Sequence, residues 1–411
     1  MKNNIYISSK NEVEIQRQYY AKTSAQYDTM HINDTKQHVV LLDFVRFLAA
    51  LSVMIYHLCY WKNGHIPTDV IDSNNFWWFG WVGVQIFFLL SGYVIAFSAS
   101  KATPLSFARS RFLRLIPTIW ICASITLVAK LLLDNQLLDL DLLYSYLSTL
   151  IIYPLGVHID VVYWTLTVEC AFYFLVYLVL RLSTFPKLMS LMIFIGVLSS
   201  LYNILIILMD LNLLNELLPK FSLLLNKLHH MRTTRLLLLE HGIYFSLGVL
   251  LWYLTQKPKN DFSIRVISFV FAIVCSLTVL NASNEYILEH HAVGVFEMSP
   301  LIVFLTAFIL ICFAQRLGRT HFLNSEPMKI ALRFLGLTTF PLYLLHNDAG
   351  LLILSHLSGV MPDLVALILT IVICIVTAVI TFKIIEPFAL VFFKQIWDVF
   401  EHNLRVGLKK A

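Results

Sequence analysis

Runs of about twenty mostly apolar residues recur along this chain, and a helix of that length spans the roughly 30 Å hydrocarbon core of a bilayer. Inside lipid every backbone N–H and C=O needs a partner within the protein, so uninterrupted apolar runs fold as α-helices. Ten are legible, at about 38–60, 77–99, 115–133, 161–182, 187–209, 236–255, 263–282, 297–315, 334–357 and 363–385. The sequence therefore predicts an all-α polytopic membrane protein with about ten transmembrane helices. Composition agrees: 58% of the 411 residues are hydrophobic and 13% charged, about half the charged share of a soluble domain. Soluble and disordered classes are excluded.

Lys and Arg set the expected orientation, because they resist translocation. Placing the N-terminus in the cytoplasm gathers most of them on that side, with both termini cytoplasmic. Residues 1–37 are polar and lack the basic start, apolar run and small-residue site of a cleaved leader. They read as a cytoplasmic tail, followed by one membrane domain over 38–388 and a cytoplasmic tail over 389–411. One outer connection, about 210–235, breaks the charge rule with Lys220, Lys227, Arg232 and Arg235. It reads either as a surface helix meeting an anionic glycan or lipid, or as a span miscounted by one. Residues 144–157 are apolar but too short to cross, and are expected to be re-entrant or interfacial. The net charge of +5 belongs to the cytoplasmic face and calls for no nucleic acid.

The first span, LDFVRFLAALSVMIYHL from Leu42 to Leu58, carries Asp43, Arg46 and His57, each costly in lipid. At 100° per residue Arg46 and His57 point roughly 300° and 320° from Asp43, so the three form one polar stripe facing protein or water. Asp43 and Arg46 are three apart and can pair. Ala50 and Val53 lie on the same stripe, which predicts one wall of a narrow slot running from Arg46 to His57, roughly 16 Å further out. Elsewhere, FARSRFLRLIPTIW (Phe107 to Trp120) places Arg111 and Arg114 on one face of a cytoplasmic helix that Pro117 is expected to interrupt. With Arg109 and Lys101 they form a cationic cluster suited to phosphates. WTLTVECAFYF puts Glu169 inside a span, and FLGLTTFPLYLLH puts His346 in the ninth, followed by Asn347 and Asp348. The six cysteines lack paired or metal-binding spacing and read as reduced packing residues, so no metal site is expected.

Six segments together resemble the acyltransferase 3 family of integral membrane acyltransferases, which includes bacterial O-acetyltransferases of surface polysaccharides. They are Asp43-Xaa2-Arg46-Xaa10-His57; Gly83 to Gly92-Tyr93; Arg111-Xaa2-Arg114-Leu115-Ile116-Pro117; Trp164-Xaa4-Glu169; Pro341 to His346; and Glu386-Pro387-Phe388. Phe47 stands where the family often has glycine, and Cys170 where a second carboxylate is common. The resemblance implies an O-acyltransferase of the bacterial cytoplasmic membrane. Its donor would be a cytoplasmic acyl-CoA, most often acetyl-CoA, used as a substrate rather than a tightly bound cofactor. Its acceptor would be a hydroxyl of a cell-envelope glycan or lipid-linked sugar.

The residues suggest roles consistent with that chemistry. Arg111 and Arg114, with Arg46, are candidates for the CoA phosphates, and His57 for a general base at the acceptor hydroxyl. An acyl-histidine intermediate is the rival chemistry. Asp43 lies too far down its helix to orient the imidazole and is taken as a partner of Arg46. Glu169 is a candidate to orient His57, and His346 is either a second acid/base or a donor lining the cavity. Glu386 reads as helix-ending and structural, and His290 and His291 as residues of the outer interface. The alternatives are a transporter or flippase of an acylated or lipid-linked glycan, which would favour inverted internal repeats, and a membrane subunit without catalysis.

Overall fold

A computed structural model describes residues 40–59, 75–134, 136–182, 185–256, 261–289, 295–317, 323 and 325–410. The N-terminal tail and the His290–His291 pair lie outside the described residues. The helices, in order, are α1 (Val40–Cys59), α2 (Gly83–Ala99), α3 (Pro104–Leu133), α4 (Leu140–Leu150), α5 (Trp164–Leu182), α6 (Pro186–Asp210), α7 (Leu213–Leu217) and α8 (Pro219–His229). There follow α9 (Arg232–Leu236), α10 (Gly242–Gln256), α11 (Phe262–Glu289), α12 (Ser299–Leu317), α13 (Glu326–Leu345), α14 (Asp348–Ser358), α15 (Asp363–Ile380) and α16 (Glu386–Lys410). No strand occurs among the described residues.

Nine of the described helices are long and apolar enough to cross a membrane. The remaining apolar run, the sixth at 236–255, corresponds to α10, only 15 residues long, in which every residue from Gly242 to Trp252 is buried. A helix apolar on all sides belongs in the middle of protein, and α10 is the centre of this bundle. It crosses α2 at two glycines: a Cβ on Gly92 would meet the Phe245 carbonyl oxygen at 2.2 Å, and one on Gly248 would meet that of Leu89 at 2.1 Å. Backbones approach this closely only where side chains are absent, the usual device of helix packing in lipid.

Two sequence expectations need correcting. Pro117 does not interrupt its helix: α3 runs unbroken from Pro104 through Pro117 to Leu133, because neighbouring helices and polar side chains can take over the hydrogen bonding that proline disturbs in a membrane helix. The ninth span starts at Glu326 and is broken at His346–Asn347, where Asn347 leaves helical geometry with ψ −87°. The segment beyond residue 388 is helical. A π-helical stretch at Thr381–Ile385 leads into α16, which packs along α3 through Phe393, Trp397 and Phe112, with Asp398 paired to Arg109 at 2.7 Å.

The two ambiguous connections are built from short helices. In α4, Leu142, Ser145 and Thr149 face the protein while Leu140, Leu143, Tyr144 and Leu147 are exposed, the pattern of a helix lying at the interface. Two of the four unexpected cations in 210–235 have internal work. Arg232 donates to the Gly156 and Leu155 carbonyls, and Arg235 pairs with Glu240 at 3.0 Å while covering the Trp164 ring. Burial, with the Arg232 charge nearby, pushes the His158 imidazole down to about 4.

Candidate active site

The polar stripe of α1 reaches two different neighbourhoods. At the Arg46 end, α1, α2, α3, α5 and α13 surround a cavity of about 70 Å³, room for about two waters. Arg46, Arg111, Arg114, Ser91, Glu169 and Tyr173 supply its polar lining. Arg46 lies 3.7 Å from Asp43, the expected pair, and Asp43 is seated against the bare backbone of Gly336. Arg111 donates to Ser98 and lies over the rings of Phe107 and Tyr173, while Arg114 is exposed. Glu169 accepts from Ser91 at 2.6 Å and from Tyr173 at 2.5 Å through one oxygen. Three guanidiniums against the carboxylates of Asp43 and Glu169 leave net positive charge, and a planar guanidinium binds phosphate by two hydrogen bonds at once. Arg109, paired with Asp398, belongs to the α16 interface instead.

At the other end of the stripe His57 meets His346. The two rings are 4.9 Å apart and inclined by 28°, with His57 Nδ1 2.7 Å from His346 Nε2. His346 Nδ1 lies 2.7 Å from the Tyr343 carbonyl oxygen. That carbonyl is available because α13 ends at Leu345 and its last carbonyls have no helical partner. A carbonyl only accepts, so His346 carries its proton on Nδ1 and its Nε2 accepts in turn. His57 must then donate from Nδ1, which leaves the lone pair on its Nε2. A basic nitrogen oriented by a hydrogen-bonded partner is what proton abstraction requires.

The helix break that exposes the Tyr343 carbonyl is clamped from outside α13. Asp160, fully enclosed just before α5, accepts from the Asp348 N–H and from Asn347 Nδ2, both at 2.8 Å, and from the Val162 N–H at 3.0 Å. It does for α14 what an N-cap residue does from within the chain. Lys130 of α3 pairs with Asp348 at 2.6 Å, fastening a third element to the same point.

This geometry revises the sequence reading in two places. Glu169 stands among the arginines rather than beside His57, whose ring is held by His346. Ala50 and Val53 do not line a slot. Both are fully buried, and a Cβ on Gly83 would meet the Ala49 carbonyl oxygen at 2.5 Å and Val53 at 2.7 Å, so the small-residue stripe serves helix packing. Phe47, likewise, joins the cluster around Met54 and Leu342 and does not line the cavity. The sequence reading missed Ser91, Tyr173, Tyr343, Asp160 and Lys130. Tyr173 had a signal, four residues beyond Glu169 on the same face; Asp160 had none beyond its place before a span. Among the described residues no group of three His, Cys, Asp or Glu side chains is arranged to hold a metal ion.

A helical membrane bundle with an arginine-lined cavity and an oriented histidine pair defines an integral membrane group-transfer enzyme. The profile of the acyltransferase 3 family, an acyltransferase domain, matches residues 39–385. The chain belongs to that family and is a membrane O-acyltransferase. No curated protein and no solved structure matches it significantly.

Proposed function

We propose that the enzyme moves an acyl group, most readily acetyl, from a cytoplasmic acyl-CoA to a hydroxyl of a cell-envelope glycan or lipid-linked sugar in the bacterial cytoplasmic membrane. The observation that carries this reading is the pairing of one polar stripe with two sites: guanidiniums around a cavity at one end, an oriented imidazole at the other. Both chain ends and the Arg46 end of α1 are assigned to the cytoplasm, where CoA is found. Arg46, Arg111 and Arg114 hold the CoA phosphates. Glu169, fixed by Ser91 and Tyr173, lines the same cavity as the guanidiniums without neutralising all three.

The reaction divides between the histidines and the acceptor. His57 Nε2 takes the proton of the acceptor hydroxyl as its oxygen attacks the thioester carbonyl. The resulting imidazolium is stabilised by its Nδ1–H bond to His346, which becomes charge-assisted. Collapse of the tetrahedral intermediate breaks the C–S bond, and the CoA thiolate takes the proton back from His57. The products are an ester on the acceptor and free CoA. The family match supports acyl transfer and lends nothing to the transporter alternative.

The test is mass spectrometry of surface glycans and glycolipids from cells carrying wild type, His57→Ala or empty vector at matched protein levels. An acyl mass increment seen with wild type alone supports the reading and identifies the acyl group. An increment of equal size with His57→Ala overturns the mechanism.

A further inference from the structure

The cavity that holds the arginines is also lined by Phe87, Thr165 and Tyr343, with Tyr343 touching the other two. Thr165 Oγ1 lies 3.1 Å from the Tyr343 hydroxyl, and the Phe87 ring meets the Tyr343 ring edge-on at 5.4 Å. All three line the cavity. On its other side Tyr343 packs 5.4 Å from the His346 ring, and its carbonyl oxygen anchors that ring. Tyr343 therefore both walls the cavity and neighbours the histidine pair. A thioester whose phosphates rest on the arginines and whose carbonyl reaches His57 passes this wall on the way.

We propose that Phe87, Thr165 and Tyr343 determine which acyl group is transferred, restricting the donor to short-chain acyl-CoA. The inference rests on the acyl-CoA reading above and adds to it the residues that measure chain length. The physical basis is that rings seated edge to face cannot yield to added methylenes without losing their contacts. A well-packed pocket discriminates by about 10–200-fold per methylene. Thr165 gives its own proton to the Val162 carbonyl and accepts from the Tyr343 hydroxyl, so the wall is fixed by polar as well as apolar contact.

The experiment uses membrane vesicles from the native cells, deleted for the gene and complemented with each variant, so that the acceptor is present. Transfer of label from acetyl-, propionyl-, butyryl- and hexanoyl-CoA into the glycan and lipid fractions is measured for wild type, Phe87→Ala, Thr165→Ala and, on the outer face of α11, Phe269→Ala. Wild type is expected to prefer acetyl over butyryl by 100-fold or more. Phe87→Ala and Thr165→Ala are each expected to lower that ratio at least 10-fold while acetyl transfer persists, and Phe269→Ala to leave it unchanged. Using two wall variants guards against one failing to fold. An unaltered ratio in both wall variants, or a wild type that accepts hexanoyl as well as acetyl, overturns this inference alone. A wild type that transfers label from none of the four donors overturns the acyl-CoA reading with it.

Discussion

His57 and His346, 289 positions apart in sequence, share a hydrogen bond of 2.7 Å, and the Tyr343 carbonyl on the far side of His346 dictates its direction. The partner histidine thus does for His57 what a carboxylate does in a serine-hydrolase triad, without contributing a buried charge. Removing it should affect the chemical step. His346→Ala is expected to lower kcat by about 10²-fold or more, with the KM for acyl-CoA unchanged. His346→Gln, whose side-chain oxygen can still accept from His57 Nδ1–H, is expected to recover part of that loss. Steady-state kinetics of the two variants check both.

Arg111 should act on donor binding. Losing a charge-assisted hydrogen bond costs about 1.5–3 kcal/mol, so Arg111→Ala should raise the KM for acyl-CoA by about 10–100-fold. Lysine keeps the charge but lacks the planar two-point contact, and Arg111→Lys should recover only part of the binding. Arg109→Ala, which breaks a pair on the α16 face, should leave that KM unaltered.

Asp160 should matter through the break between α13 and α14. Asp160→Ala removes the acceptor of the Asp348 N–H and one of the two acceptors of Asn347 Nδ2, at about 1–3 kcal/mol for an orphaned group. A lower melting temperature in detergent is expected, together with a fall in kcat at constant KM for acyl-CoA. Asp160→Asn keeps one carbonyl acceptor and should fall between.

Gly336 tests the seat of Asp43. A Cβ there would stand 2.5 Å from the Asp43 carboxyl carbon and 2.7 Å from its oxygen, so α1 and α13 must part or Asp43 must turn away from Arg46. Gly336→Ala is expected to destabilise by about 1–3 kcal/mol and to weaken acyl-CoA binding, whereas Gly359→Ala, with only ordinary contacts, should do neither. Thermal melts and donor titrations of the two variants distinguish them.

Much of this architecture is legible in the sequence because lipid leaves few choices. Apolar length alone marks the spans, and the cost of Asp43, Arg46 and His57 in lipid marks the helix that matters. The pairing of Asp43 with Arg46 follows from helical spacing. What spacing cannot give is which polar groups from different helices meet. Glu169 is the partner the sequence offers for His57, and only the packing of α1 on α13 gives that place to His346. The break after His346 carries no glycine or proline; it is made by Asp160, which lies in another segment and reads locally as an ordinary loop residue. Small residues were ambiguous in the same way, since Ala49, Ala50 and Val53 suit a slot or a close helix neighbour equally, and Gly83 takes the space.

The central claim is that His57, oriented by His346, performs the acyl transfer from acyl-CoA. The most direct measurement is the release of free CoA from acetyl-CoA by native-cell membrane vesicles containing wild type or His57→Gln, with acetyl-CoA binding measured on the same preparations. Glutamine preserves size and polarity but offers no nitrogen base. The account predicts acceptor-dependent CoA release by wild type, its loss in His57→Gln, and equal donor binding in both. Undiminished release by His57→Gln would contradict it.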